Sequence, residues 1–414
     1  MKKFFRKTLA LALALTLVFT LAACGKKTAD NQGEPTPTAE PTSTPTPTPI
    51  PTHAPVDLDM FGIDFLPDNA VDASQQILGF PGDTVLFTVN GAGVTAQEYL
   101  YWLGYMTSYY GMMFSYYGYD ELNFEEVVGE NGETLDQELK ESAYQNSLIL
   151  AVIPELVARY GITFTDADIA ELVQMRETSI ENAGGLEYYA LELQAMGIND
   201  TTAFKTDVTS ALFSNLQETY VAGLTAQEVA DFAREGGYLR AKHILLLTTD
   251  MMTTGAPYDD ATVAQQRATA EDILAQLQAD PSRFDDLMNE YSEDTGLSTN
   301  PDGYFFGPGE MVESFESGTA ALEIGEISGI IESEYGYHII QRLDPDCEEA
   351  REKVFDAMLQ AYVEAAVVEK KAEYDSFTTR EYYEALQEFQ ASLDIPPIEE
   401  DASNATLEPQ TNLN

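Results

Sequence analysis

Residues 240–247 read Arg-Ala-Lys-His-Ile-Leu-Leu-Leu, and residues 335–342 read Tyr-Gly-Tyr-His-Ile-Ile-Gln-Arg. Both runs are apolar and rich in residues that favour strands, and each carries one histidine near its middle. The sequence contains only three histidines, and the third, His53, lies in a proline-rich tract. We therefore predict that His243 and His338 lie on two strands at opposite ends of one compact unit.

The segment between these two strands changes to helical spacing. Apolar residues recur at helical intervals over 261–279 and 283–291. A loop with four glycines follows at 295–309, and a short helix is expected after it. The order β-α-α-loop-α-β-β within about 105 residues predicts one small α+β domain.

Six ordered motifs in this segment resemble those of the parvulin-type peptidyl-prolyl isomerases. They are Ala-Lys-His-Ile-Leu at 241–245, Phe284 with Leu287, Tyr-Ser-Glu-Asp at 291–294, Gly-Glu-Met-Val at 309–312 with Phe315, Gly-Glu-Ile-Ser at 325–328 and Tyr-Gly-Tyr-His-Ile-Ile at 335–340. The resemblance implies a parvulin-type domain over residues 237–345 that isomerises X–Pro peptide bonds. Such a reaction needs no metal and no cofactor, because it is only a rotation about an amide bond.

The resemblance also implies roles for seven residues of this sequence. The catalytic residues would be His243, Asp294 and His338; the substrate-binding residues would be Met311 and Phe315, on one face of the short helix, with Ser333 and Tyr335 at the rim. A carboxylate at 294 excludes thiol catalysis and favours electrostatic polarisation of the amide. The alternatives are an ordinary core for the apolar pair, satisfied core histidines and a solvated loop acid.

One loop departs from the family pattern. Residues 300–306 read Asn-Pro-Asp-Gly-Tyr-Phe-Phe, where the family often has Gly-Gly-x-Leu-Gly. The family's apolar residue falls near Gly303 or Tyr304, so the pocket wall at this point is open to question. The sequence near this site contains no basic cluster, so it does not predict selectivity for phosphorylated substrates.

The first 24 residues have the pattern of an export signal. A basic start is followed by an apolar run from Leu9 to Ala23, which is too short to span a bilayer. Leu-Ala-Ala-Cys at 21–24 resembles a bacterial lipobox, which implies lipidation at Cys24 and a lipid-anchored protein on the extracytoplasmic face of the cell membrane. The alternatives are a plain cleaved signal peptide and an uncleaved anchor. Residues 25–57 are rich in proline and threonine and predict an extended linker.

Long helical patterns flank the parvulin-like segment. Residues 84–236 are mainly helical, and their opening resembles the N-terminal chaperone region of PrsA/SurA-type foldases. Amphipathic helices at 346–393 are expected to pack back onto that region, with a disordered tail at 394–414. The fold class expected is therefore α+β, a parvulin-like α+β domain inserted between segments of a mainly helical chaperone domain. The tyrosine- and methionine-rich residues 101–119 are either helical core or an adaptable surface for unfolded proteins.

The charge of the chain limits its partners. It has 70 acidic and 21 basic residues, a formal net charge of −49. This excludes nucleic acid as a partner, and it either attracts basic unfolded segments or serves solubility alone. The sequence contains no set of Cys and His residues with the spacing of a zinc site. It also contains no Gly-rich loop ending in Lys-Ser/Thr, the motif of a nucleotide-binding site.

Three functions are compatible with these features. The first is a membrane-tethered foldase that isomerises X–Pro bonds in unfolded or partly folded exported proteins. The second is an ATP-independent holdase chaperone whose parvulin domain is catalytically silent. The third, a lipoprotein that captures a small solute, is disfavoured because no pattern of two α/β lobes is present. The sequence leaves a homodimer open.

Overall fold

The computed structural model of the protein describes residues 56–67, 72–119, 121–129, 131–250 and 255–393. The predicted signal peptide, Cys24, the linker up to residue 55 and the tail from residue 394 lie outside the described residues. The chain divides into two compact units. The first unit combines the residues up to 216 with those from 365 onwards, and the second comprises residues 217–364.

The regular elements are numbered here in chain order. The α-helices are α1 (Ser74–Leu78), α2 (Ala96–Tyr116), α3 (Leu135–Tyr160), α4 (Asp166–Ala183), α5 (Leu186–Met196), α6 (Asp200–Gly223), α7 (Ala226–Gly236), α8 (Asp260–Ala279), α9 (Phe284–Tyr291), α10 (Glu313–Ala320), α11 (Glu348–Ala365) and α12 (Thr379–Ser392). The strands are β1 (Val85–Val89), β2 (Ala92–Thr95), β3 (Leu239–Leu247), β4 (Tyr304–Phe306), β5 (Ile327–Glu332), β6 (Gly336–Arg342) and β7 (Val368–Lys370). Short 3-10 helices lie at Leu58–Phe61, Pro281–Arg283, Thr295–Ser298 and Ala372–Asp375.

Capping boxes begin several of the helices. The side chains of Thr95, Thr165 and Thr225 each accept a hydrogen bond from the backbone N–H three residues later, and the acid at that position bonds back. This reciprocal pair satisfies two backbone donors that the first helical turn leaves without partners. The starts of α2, α4 and α7 are therefore fixed by local contacts.

The first unit is closed by the C-terminal end of the chain. Strand β7 pairs antiparallel with β1, so the three-stranded sheet has the order β2-β1-β7. Helix α12 buries Tyr382 completely, and its first residues bond to the start of α3, where the Thr379 hydroxyl donates to the Asp136 carbonyl at 2.8 Å. Sequence-distant segments thus share one core.

The second unit is built on a four-stranded antiparallel sheet with the order β4-β3-β6-β5. Helices α8 and α9 cover one face, where Ile244 and Ile339 lie in the same buried cluster as Phe284. Helix α10 covers the other face, where Phe315 packs with Ile340. Successive side chains of a strand alternate between the two faces of a sheet, and this alternation defines the face on which the histidines lie.

The limits of the second unit are wider than the predicted domain over 237–345. Val229 and Ala233 of α7 and Ala350 of α11 form a buried cluster with Phe305 of β4. Helix α11 therefore lies in the second unit, and β7, the 3-10 helix at Ala372–Asp375 and α12 belong to the first. The predicted C-terminal helical segment at 346–393 is thus divided, because its two helices present their apolar faces to different cores.

Within the described residues, no helix is long and apolar enough to cross a bilayer. The same residues contain no group of three or more His, Cys, Asp or Glu side chains that could hold a metal ion.

Candidate active site

The central strand pair of the second unit positions the two histidines. In the β3–β6 register, His243 lies opposite Ile340 and His338 lies opposite Leu245. The histidines are therefore diagonal neighbours on the sheet face that α10 covers. Their ring centroids are 5.2 Å apart, and their Nδ1 atoms are separated by 3.4 Å. The prediction that His243 and His338 lie on two strands of one unit is confirmed, and the two strands are neighbours in the sheet.

Asp294 follows α9 and points at the first of these imidazoles. Its Oδ1 accepts the Gly296 N–H at 3.0 Å, which caps a 3-10 helix and fixes the carboxylate. Its Oδ2 lies 3.0 Å from His243 Nε2 and accepts the Tyr304 hydroxyl at 2.6 Å. Three fixed donors therefore hold one ionised carboxylate.

One arrangement of protons satisfies all of these contacts. A carboxylate can only accept, so His243 donates from Nε2 to Asp294. With one N–H on each ring, His338 donates from Nδ1 to His243, and its Nε2 accepts the Ser333 hydroxyl at 2.7 Å. The chain of donors then runs from Ser333 to Asp294.

The electrostatic environment determines the charges of His338 and Asp294. Burial and, to a smaller extent, the neighbouring His243 together lower the pKa of His338 to about 3, so His338 is neutral at pH 7. Burial would raise the pKa of Asp294, but the hydrogen bonds from His243, Tyr304 and Gly296 lower it to about 2. Burial and the Asp294 carboxylate both raise the pKa of Tyr304, which remains a donor.

An aromatic floor lies beneath the imidazoles. The Phe315 ring centroid is 5.0 Å from that of His243 and 5.6 Å from that of His338, and its side chain is only 2% exposed. The Phe315 ring is also tilted against that of Phe306, with ring centroids 5.7 Å apart. Phe315 is therefore both part of the core and the apolar contact of the two histidines.

Met311 packs against the buried cluster that contains Phe315, but it does not lie on the short helix. Helix α10 begins at Glu313, with Val312 as its N-cap residue, so Met311 precedes the helix. The prediction that Met311 and Phe315 form an i,i+4 pair on one helix face is wrong. Met311 is half-buried and lines an open recess of about 740 Å³ with Tyr238 and Leu239. The described lining of that recess includes neither histidine and not Asp294.

Comparison with known proteins assigns this region to a family. Residues 243–344 match the profile of the PPIC-type PPIase domain, also described as a rotamase. This part of the chain is a PPIC-type PPIase domain. The match begins at His243 and includes Asp294 and His338.

Known proteins resemble the chain over limited segments. The foldase protein PrsA 1 of Listeria monocytogenes serotype 4b (strain F2365) is 40% identical over 119 residues, which cover 28% of this chain and 38% of that protein. The chaperone SurA of Bordetella avium (strain 197N) is 32% identical over 132 residues, which cover 32% of this chain and 24% of that protein. The alignments thus span less than half the length of these relatives. The crystal structure of PrsA from Bacillus subtilis is 20% identical, covers 68% of this chain and 97% of that chain, and has a TM-score of 0.23.

Ser333 and Tyr335 lie at the end of the donor chain in the PPIase domain. The Tyr335 N–H donates to Ser333 Oγ at 3.1 Å, which leaves the Ser333 hydroxyl proton directed at His338. Ser333 therefore orients an imidazole, whereas the contribution of Tyr335 to this network comes from its backbone. Both are half-buried.

Tyr304 is the site residue that the sequence did not single out as a donor. Strand β4 places it opposite Ala241, within reach of Asp294. Gly303 beside it has φ of +94°, and a Cβ there would lie 2.7 Å from the Ala241 carbonyl oxygen. Only glycine fits at position 303, so the apolar side chain that the family often has near this position is absent there. The phenol of Tyr304 lies next to it.

Proposed function

We propose that this protein catalyses cis–trans isomerisation of X–Pro peptide bonds in non-native exported proteins and so assists their folding. The observation that carries the proposal is the line of donors from Ser333 through His338 and His243 to Asp294, with Phe315 packed against both imidazoles. This line ends in a fixed negative charge beside an apolar surface.

The electrostatics of this site suit amide rotation. A planar amide has a charge-separated resonance form with negative charge on oxygen, and rotation must abolish its C–N double-bond character at a barrier of about 20 kcal/mol. A fixed carboxylate beside the carbonyl oxygen disfavours that form and so favours the twisted amide. His338 is neutral at pH 7 and adds no positive charge that would cancel the effect. Asp294 would therefore supply the electrostatic term, while His243 and Tyr304 position it.

The cellular setting of the proposal comes from the sequence outside the described residues. The signal-like residues 1–24 and the lipobox-like motif at 21–24 support lipidation at Cys24 and action on the extracytoplasmic face of the membrane. The relatives named as a foldase and a chaperone support a role in folding. The partners would be unfolded or partly folded exported proteins that contain X–Pro bonds.

A prolyl isomerase assay on the full chain tests the proposal. With a short X–Pro peptide as substrate, we expect catalysis by the wild type and a loss of roughly tenfold or more in kcat/KM for Asp294→Asn. The matched control is Asp286→Asn, the same substitution on an exposed position of α9. Circular dichroism would verify that both variants are folded.

The result that would contradict the proposal is equally specific. No catalysis by the folded wild type, or equal catalysis by wild type and Asp294→Asn, would remove the enzymatic role. The alternative, a holdase with a silent PPIase domain, would then account for suppression of aggregation without any change in isomerisation rate.

A further inference from the structure

The end of α2 and the loop after it form an exposed aromatic surface in the first unit. Seven of the fourteen exposed large hydrophobic side chains of the described residues lie within residues 109–128. Tyr116 is 85% exposed, Tyr117 71% and Tyr119 57%. The buried residues of α2 lie in its first half, so the first half of the helix belongs to the core. We call residues 109–119 and 121–128 the tyrosine surface.

The tyrosine surface contains a recess rather than a flat face. Its volume is about 350 Å³, and it is lined by Met113, Phe114, Tyr117, Tyr119 and Glu126. The Phe114 and Tyr119 rings lie 5.5 Å apart across this region. A recess of this size holds one or two side chains, and methionine adapts to different shapes. The Glu126 carboxylate makes no hydrogen bond or ion pair with any other part of the described chain.

The sequence that contributes to the recess is acidic. Residues 118–139 contain eight acidic side chains and no basic one, and residues 28–139 contain no lysine or arginine. From the C-terminal segment of the first unit, Arg380 pairs with Glu125 at 3.0 Å and lies over the Phe124 ring. In this contact a carboxylate and an aromatic face bind one guanidinium together.

We propose that the tyrosine surface binds cationic, apolar segments of non-native polypeptides, in which lysine or arginine stands next to aromatic or aliphatic residues. The exposed rings offer faces to the cations and apolar contact to their neighbours, and the surrounding carboxylates attract and retain the charge. A second copy of the chain is disfavoured because it would bring acidic surfaces together. The chain's own residues 394–414 are disfavoured for the same reason, since they carry five acids and no base.

This inference is independent of the isomerase reaction, because it concerns a surface of the first unit. The two can therefore fail separately. The surface would hold a non-native chain by its basic apolar stretches whether or not the PPIase domain turns over its X–Pro bonds.

Fluorescence anisotropy with the full-length protein tests the proposal. The probe is a short labelled peptide of arginine, tyrosine and leucine, compared with one in which glutamate replaces arginine and one in which serine replaces the apolar residues. We expect the cationic apolar peptide to bind most tightly and its affinity to fall at high salt. The triple variant Tyr116→Ser, Tyr117→Ser, Tyr119→Ser should lose at least about tenfold in affinity.

Two controls separate the surface from the general negative charge of the chain. The triple tyrosine variant keeps the net charge, so its loss of affinity measures the surface alone. Leu186→Ser with Ile324→Ser removes side chains that are 48% and 57% exposed elsewhere, and it should bind as the wild type does. Isomerisation of a short X–Pro peptide should be the same in all three proteins. Equal binding of the anionic peptide, no binding of any peptide, or full affinity in the triple variant would overturn the proposal.

Discussion

Asp294 accepts hydrogen bonds from three groups that come from three separate parts of the chain. The Gly296 N–H is local, His243 belongs to β3, and Tyr304 belongs to β4. Hydrogen bonds to a charged acceptor are worth roughly twice those between neutral groups. The carboxylate is therefore kept ionised by the fold and cannot turn away from the imidazole without losing these contacts.

Replacing Tyr304 by phenylalanine should stabilise the ionised Asp294 carboxylate less than the wild type does. Removal of one donor is expected to raise the pKa of Asp294 from about 2 towards its usual value, by roughly one unit. The folded pKa of the wild type lies below the unfolded value of 3.8, so the carboxylate stabilises the fold above that pH, and this stabilisation is lost as the pH falls towards 2. In Tyr304→Phe the stabilisation is smaller and its loss is complete at a higher pH, while the pH at which the loss begins, set by the unfolded value, is unchanged. An NMR titration of the Asp294 carboxyl carbon, assigned with Asp294→Asn, measures the change.

A control for this titration is Tyr291→Phe, which removes a half-buried phenol at the end of α9. It should leave the Asp294 titration where it is. If Tyr304→Phe also left the titration of the Asp294 carboxyl and the pH dependence of kcat/KM at acid pH unchanged, Tyr304 would not position the Asp294 carboxylate.

The site was predictable from the sequence only where it depends on local pattern. The two histidines occupy strands, and the alternation of residues along a strand determines the face on which they lie. The contact between Tyr304 and Asp294 was not predictable in this way. It depends on β4 pairing with the edge of β3, which places Tyr304 opposite Ala241. The late start of α10 was missed for a related reason, because its N-cap residue, Val312, makes no side-chain cap that the sequence could reveal.

Helix α12 shows how far the first unit depends on the end of the chain. It buries Tyr382 and Leu386, and its Gln390 side chain donates to the Ala195 carbonyl at 2.6 Å. Its capping box at Thr378 follows the same sequence pattern as the boxes of the earlier helices. The helix itself is thus predictable locally, whereas the core that it joins is set by residues far away in sequence.

A chain that ends at Phe377 should lose stability in the first unit alone. Removal of the buried faces of Tyr382 and Leu386 is expected to cost about 3 kcal/mol or more. Differential scanning calorimetry should show a lower melting temperature for the first unit and an unchanged transition for the second. The matched control ends at Leu393 and removes only residues 394–414. An unchanged melting temperature in the shorter chain would show that α12 is not part of the core.

At the scale of the whole molecule, the second unit is an insertion with a core of its own. The chain leaves the first unit near residue 216 and re-enters it near residue 365. The α+β architecture was predictable because helical and strand periods change sharply along the sequence, whereas the insertion was expected from the resemblance to foldases. The limits of the insertion were not predictable from the sequence. The apolar faces of α7 and α11 join the second unit because they pack against Phe305 of β4, which is distant from them in sequence.

The last prediction concerns the attachment of the whole molecule to the membrane. If Cys24 carries the lipid, Cys24→Ser should move the protein from the membrane fraction to the soluble fraction, because the lipid chains supply most of the apolar contact with the bilayer. The sequence provides a matched control, since Cys347 is the only other cysteine. Cys347→Ser should remain with the membrane. Fractionation with mass spectrometry of the mature N-terminus measures both variants, and membrane retention of Cys24→Ser without lipid would point to an uncleaved apolar anchor instead.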